Sequence, residues 1–293
     1  MTISRTVPGI KAAKRRSGSE PLVMVTAYDA PSARVATEAD VDLILVGDSL
    51  AMVVLGYDDT LQVTIDDLAY HTAAVARARP TAVIVGDMPW MSFHISTEAT
   101  VTNAAKLIRA GANCVKVEGG SKRIPMIEAI IAAEIPVMAH IGLTPQSANV
   151  MGGFKIQARR ADAVRRMIDE AKLLEEAGCF AMVIEGVPDL AGRLVTEAIG
   201  IPTIGIGAGA DTDGQVLVYH DIIGLENRFK PKFVRRYDKA FESQAAALAA
   251  YAADVRSGAF PAEDETYAAG DELTDALGLY GSGPDPVPGH RAG

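Results

Sequence analysis

The chain has 293 residues, 49% hydrophobic and 22% charged, with a formal net charge of −9. That is enough for one large α/β domain with additional segments. The acidic balance argues against a nucleic-acid footprint or attachment to an anionic membrane surface.

Cys114 and Cys179 sit in apolar, strand-like contexts with no C-x-x-C. They point to buried thiols in a reducing compartment, not to a disulfide scaffold or a zinc site. The N-terminus has Lys11, Lys14, Arg15 and Arg16 but no apolar signal core, and no apolar run reaches transmembrane length. A cytoplasmic protein is expected.

Residues 1–20 read as a short, mostly solvated lead-in. L-V-M-V-T-A-Y (22–28) is a first strand, and Asp29 and Pro31 open a helix. L-I-L-V-G-D-S (43–49) is a second strand, ending in Asp48 and Ser49. The connection over 50–63 is too apolar for a plain loop and suggests a lid or an oligomer contact. Thr64 and Asp67 form a capping-box signal for a helix over 65–79. A-V-I-V-G-D-M-P (82–89) is the third strand, and the helix over 97–110 stops at Gly111.

C-V-K-V-E-G-G (114–120) is the fourth strand, with Lys116 and Glu118 inside an apolar run. Residues two apart on a strand share a face, so both side chains aim the same way. A helix with Ile124, Ile127 and Ile131 on one face follows. P-V-M-A-H-I-G-L-T-P (136–145) is the fifth strand, with His140 inside it, and 146–159 is a polar, Gly-bearing loop of functional length. A helix over 161–177 precedes F-A-M-V-I-E-G-V-P (180–188), the sixth strand, which carries Glu185. After a helix over 189–199, I-P-T-I-G-I-G-A-G (201–209) and Q-V-L-V-Y-H-D-I-I-G (215–224) are the seventh and eighth strands, and a long helix over about 232–257 closes the pattern.

Continuous apolar strands mark a parallel sheet buried on both faces. Eight of them alternating with helices predict an α/β fold of the (β/α)₈ TIM-barrel type. The barrel domain with its lead-in is expected over 1–258, and a Gly-, Pro- and acid-rich extension over 259–293. A doubly wound open sheet is the alternative, but no G-x-G-x-x-G follows the first strand.

Catalytic groups of such barrels lie at the C-terminal ends of the strands. Those ends carry Asp48 and Ser49, Asp87, Lys116 and Glu118, His140, and Glu185. Each alone has a structural explanation as a turn, a cap or a satisfied core polar group. Together, so many carboxylates around one lysine repel one another, and a divalent cation removes that conflict. Asp48, Asp87 and Glu118 offer hard oxygens with no thiolate nearby, which favours Mg²⁺ over Zn²⁺. Two direct ligands and a third through water would leave positions open for a chelating substrate. Glu185, flanked by Val183-Ile184 and Gly186-Val187-Pro188, reads as a general base in an apolar setting. Lys116 would bind a substrate carboxylate or neutralise the cluster. The chemistry expected is metal-assisted enolisation of an α-keto acid or a similar oxygen chelate.

The motifs V-T-A-Y-D-A (25–30), V-G-D-S-L-A-M-V-V-L-G-Y-D-D-T-L-Q-V-T (46–64), V-K-V-E-G-G (115–120), H-I-G-L-T-P-Q-S (140–147), G-G-F-K-I-Q-A-R (152–159) and I-P-T-I-G-I-G-A-G (201–209) resemble those of the ketopantoate hydroxymethyltransferase family. The resemblance runs across roughly residues 20–230. It implies a TIM barrel and a Mg²⁺-dependent, class II aldolase-like reaction. The substrate would be 3-methyl-2-oxobutanoate, the one-carbon donor 5,10-methylenetetrahydrofolate and the product 2-dehydropantoate, for pantothenate and coenzyme A synthesis. By matching positions, Asp48 and Asp87 would bind the metal with Glu118 in its shell. Asp48, Ser49, Asp87 and Lys116 would contact the keto acid, and Glu185 would accept the proton. The resemblance also implies a homo-oligomer, typically a decamer. The chain departs from the family pattern at M-P-W-M-S-F-H (88–94), at A-N-V-M-G-G (148–153) and in the C-terminal A-F-P-A-E-D (259–264).

Three other readings use the same residues. One is a Schiff-base aldolase working through a deprotonated Lys116. Another is a Mg²⁺ carbon–carbon lyase of the phosphoenolpyruvate mutase and isocitrate lyase kind, although no K-K-C-G-H-type loop is present. The last is a non-catalytic binding protein, which the intact carboxylate rim disfavours.

Overall fold

The structure is a computed structural model that describes residues 5–14, 20–153, 155–226, 228 and 230–278. Arg15, Arg16, Phe154 of the polar loop and the extension beyond 278 lie outside the described residues. Eight parallel strands close into one barrel in sequence order. They are β1 (Leu22–Thr26), β2 (Leu43–Val46), β3 (Val83–Asp87), β4 (Cys114–Glu118), β5 (Val137–Gly142), β6 (Ala181–Glu185), β7 (Thr203–Ile206) and β8 (Gly214–Leu217). Register pairs such as Val85 with Cys114, Val115 with Val137 and Met182 with Thr203 stagger the strands around the ring. The expected TIM barrel is therefore the fold.

Alternation along each strand sorts the side chains into two cores. Ile44, Val46, Ile84, Val115, Val117, Val137, Ala139, Ile141, Met182 and Ile184 face outward and pack against the helices. Leu22, Met24, Leu43, Leu45, Val83, Val85, Cys114, Met138, Ala181, Val183, Ile204 and Val216 fill the interior. Continuous burial on both faces is why the strands lack an apolar–polar alternation.

The helices begin and end where short-range chemistry says they should. Asp29 and Ser32 cap the helix Ala30–Glu38 reciprocally, and Thr64 and Asp67 do the same for Ile65–Arg77. The helices Thr97–Arg109, Ile124–Ala132, Ala161–Glu176 and Asp189–Ala198 complete the outer layer, with Ile127 and Ile130 buried on the second of these.

Three expectations are corrected. The eighth strand spans only Gly214–Leu217, and Tyr219–Ile222 within the expected strand is a short helix. The lead-in is not simply solvated: Val7–Ala12 is a helix, started by Thr6 and Pro8, and its Ile10 is fully buried in the interior core. It closes the N-terminal end of the barrel, where Lys14 Nζ bonds Asp213 Oδ2 at 2.9 Å and the carbonyl of Thr196 at 2.7 Å. The last long helix starts at Ala240, not near 232, and runs to Ser257. The preceding segment cannot coil because Tyr237 N and Ala240 N donate to the carbonyls of Ile222 and Ile223, and Arg236 reaches the carbonyl of Glu226.

The chain divides into two compact units, Met1–Ala240 and Phe241–Gly293. The second holds most of that helix, a short helix Asp271–Ala276 and a ring contact between Tyr251 and Phe260. No helix among the described residues is long and apolar enough to cross a membrane.

Candidate active site

The interior columns carry apolar side chains at the lower levels and ionisable ones at the upper ends. Val83 and Val85 lead up to Asp87, Cys114 to Lys116 and Glu118, Met138 to His140, and Ala181 and Val183 to Glu185. Each polar residue shares its column's parity, so it must point into the barrel. Strand pairing then brings them level: Asp87 is the register partner of Lys116, and Glu118 of His140. Asp48 and Ser49 follow β2 at the same end, and Ser49 immediately precedes the short helix Leu50–Val53.

The contacts form one connected network. Lys116 Nζ lies 2.9 Å from Asp87 Oδ1, with both side chains almost wholly buried. The backbone N–H of Asp48 donates to Asp87 Oδ2 at 3.1 Å. Gln146 Nε2 donates to Asp48 Oδ2 and to the carbonyl of Met88, each at 3.0 Å, and Gln146 N donates to Glu118 Oε1 at 2.8 Å. His140 stands between two carboxylates, with Nδ1 3.3 Å from Glu118 Oε2 and Nε2 3.3 Å from Glu185 Oε2. Lys116 Nζ also lies 3.3 Å from His140 Nδ1. On the other side of the mouth, Ser49 Oγ and Tyr28 Oη are 2.8 Å apart.

Gly142 lets β5 run this close to β6. It takes a φ of +95°, which L side chains rarely adopt, and a methyl group there would collide with the carbonyl oxygen of Glu185.

Burial dominates the electrostatics. It pushes Asp48 up to about 6, with Glu118 adding repulsion against the pull of Lys116 and the Gln146 hydrogen bond. Burial also pushes Asp87 up to about 6, again against Lys116. Lys116 is the reverse case: burial alone would lower it, but Asp87, Asp48 and Glu118 together hold it above the ordinary lysine value. A lysine so held is a fixed ammonium, which removes the nucleophile that a Schiff-base mechanism needs. His140 is raised to about 9; burial and Lys116 lower it, and its contacts with Glu118 and Glu185 outweigh them. Its Nδ1 has two rival neighbours, Lys116 needing an acceptor and Glu118 needing a donor. Two carboxylates against one ammonium favour the protonated ring.

Acceptors at the mouth outnumber donors. Asp87 Oδ1, Glu118 Oε2 and Gln146 Oε1 are buried without a well-directed hydrogen bond, although Lys116 and His140 lie near the first two. Among the described residues, no three His, Cys, Asp or Glu side chains are grouped so as to enclose a metal ion. The expected trio of Asp48, Asp87 and Glu118 is thus not a closed cage, and Gln146 bridges Asp48 to Glu118. Mg²⁺ is held by one or two carboxylates and keeps several waters. Buried oxygen acceptors short of donors, on Asp87, Glu118 and Gln146, fit such a dication.

The family model for ketopantoate hydroxymethyltransferase matches residues 4–263. The chain belongs to the ketopantoate hydroxymethyltransferase family. It is 52% identical to 3-methyl-2-oxobutanoate hydroxymethyltransferase 2 of Bradyrhizobium diazoefficiens over 93% of this chain and 92% of that one. It is 51% identical to the corresponding enzyme of a Methylobacterium species, with 93% and 94% covered. Among solved structures, 2,3-dimethylmalate lyase, a member of the PEP mutase/isocitrate lyase superfamily, superposes with a TM-score of 0.58. It is 16% identical, with 94% of this chain and 95% of that one covered. Phosphonopyruvate hydrolase in complex with oxalate and Mg²⁺ gives 0.55 at 15% identity, with 93% and 95% covered. At such identities the likeness concerns the barrel alone.

For this family member, all the residues singled out from the sequence, Asp48, Ser49, Asp87, Lys116, Glu118 and Glu185, lie at one end of the barrel. Glu185 is in a different setting from the one expected: its side chain is 17% exposed and lies beside His140, while Ile184 faces the helices. Tyr28 and Gln146 were not singled out, though both lie in motifs that carry the family resemblance. His140 was noticed without a role and proves to be the link between Glu118 and Glu185.

Proposed function

We propose that this mouth removes the C3 proton of 3-methyl-2-oxobutanoate and transfers a hydroxymethyl group from 5,10-methylenetetrahydrofolate to that carbon, giving 2-dehydropantoate. The chain is an enzyme of the hydroxymethyltransferase class. The observation that carries its chemistry is the convergence of Asp87, Lys116, Glu118, His140 and Glu185 at the upper ends of four adjacent inward columns.

Asp48 and Asp87 would hold Mg²⁺, with Glu118 reaching it through water. Bound there, the ion would polarise the keto oxygen and offset the charge that develops on it. Lys116 has three donors; Asp87 engages one, and the protonated His140 ring cannot accept another, which leaves donors for the substrate carboxylate. Ser49, steadied by Tyr28, meets the same end of the keto acid. Glu185, the most accessible carboxylate of the network, takes the proton from C3, and the electron pair passes into the carbonyl. His140 holds the Glu185 carboxylate in place for that step. The activated carbon attacks the one-carbon unit, which leaves its folate nitrogen and gains its hydroxyl oxygen from water. Positioned bases of this kind contribute about 10²–10⁴ in rate.

The half-exposed Val54, Leu55 and Tyr57 support association into a homo-oligomer, a decamer by family resemblance. The free, buried Cys114 and Cys179 support a reducing, cytoplasmic setting.

The test is deuterium exchange at C3 of 3-methyl-2-oxobutanoate in D₂O, without folate. Wild-type protein with Mg²⁺ is expected to exchange, and Glu185→Ala to lose exchange by at least about 10²-fold while still binding metal. Full exchange by that variant would reject Glu185 as the base.

A further inference from the structure

Gln146 is a buried side chain, 6% exposed, in the loop after β5, and no step above uses it. Its side-chain amide bridges Asp48 Oδ2 and the carbonyl of Met88, and its backbone N–H holds Glu118 Oε1. The orientation of the amide is fixed chemically. The carbonyl of Met88 can only accept, so the NH₂ end must face it. Gln146 Oε1 is therefore the other end, buried and without a donor. A buried amide oxygen left bare costs about 1–3 kcal/mol. A donor is expected to meet it in the working site.

We propose that Gln146 is the positioning residue of the metal centre. It locks Asp48 and Glu118 into one geometry, and its Oε1 accepts a hydrogen bond from a water on the dication. One residue of the loop thereby couples β2, β4 and the turn after β3. The proposal rests on the reading of Asp48 and Asp87 as metal ligands. Groups that orient metal ligands change affinity by about 10–100-fold when removed.

The probe is Mn²⁺ in place of Mg²⁺, titrated by electron paramagnetic resonance on the full chain without substrate. Gln146→Met keeps the volume and removes both functions of the amide. Its Mn²⁺ dissociation constant should rise about 10–100-fold. Gln146→Asn keeps an amide one methylene short of Asp48, and should weaken binding less. If the Met variant fails to fold, the Asn variant decides. A folded variant that binds Mn²⁺ as tightly as wild type overturns the role of Gln146. Wild-type protein that takes up no Mn²⁺ overturns the metal reading and this proposal together. The two failures are therefore distinguishable.

Discussion

The two ends of the barrel each bury an aspartate, and the two are built differently. At the lower end Asp213 is 1% exposed, and its Oδ2 accepts from Thr203 N at 2.8 Å, Thr203 Oγ1 at 3.0 Å and Lys14 Nζ at 2.9 Å. At the upper end Asp87 is equally buried, but its Oδ1 has only the poorly directed ammonium of Lys116. A carboxylate there to hold the fold is surrounded by donors. One there for chemistry is left short of them and shifted in pKa. The lower end is a plug; the upper end is a socket.

Exchanging the roles of the two ends tests this contrast. The largest effect is expected for Asp87→Ala. It leaves Lys116 as an unpaired buried ammonium, a change that costs about 3–5 kcal/mol, and it should also abolish C3 exchange. Denaturant unfolding together with the exchange assay reads both. Ile10→Ala in the lower plug should cost about 2–5 kcal/mol and leave exchange per folded molecule unchanged. Loss of exchange in that folded variant would mean that the ends are not independent.

Asp48→Asn should move stability the other way. A carboxyl lifted from 3.8 to about 6 binds its proton more tightly folded than unfolded. Its ionisation therefore destabilises the metal-free fold progressively as pH rises from about 4 to about 6, and the penalty stays in place above. The neutral variant should be more stable than metal-free wild type at pH 8, by on the order of 3 kcal/mol, with no gain at pH 3.5. It should bind Mg²⁺ more weakly. Equal stability at pH 8 would contradict a destabilising, ionised Asp48 in the metal-free fold. The smallest effect is expected for Asp213→Asn, which keeps an acceptor for Thr203 and weakens the pair with partly exposed Lys14. About 1 kcal/mol is expected, with exchange intact.

Much of the socket was legible in the sequence because strand geometry is periodic. Lys116 and Glu118 two apart, and Asp87 and Glu185 at the ends of apolar runs, could only aim together once the runs were parallel strands. What strand parity could not supply was lateral neighbours. Glu185 looked apolar along the chain, yet its surroundings come from His140 one strand away. Gln146 meets Asp48 across 98 positions, and no local rule pairs them. The plug helix did have a local signature, Thr6 and Pro8 before Ile10, hidden in a short basic segment that reads as solvated.

The most direct test of the account is C3 deuterium exchange by wild-type protein stripped of metal with a chelator. No exchange above buffer is expected until Mg²⁺ is restored, and full activity after that. Undiminished exchange with the chelator present would contradict the claim that these buried carboxylates exist to hold a hard dication.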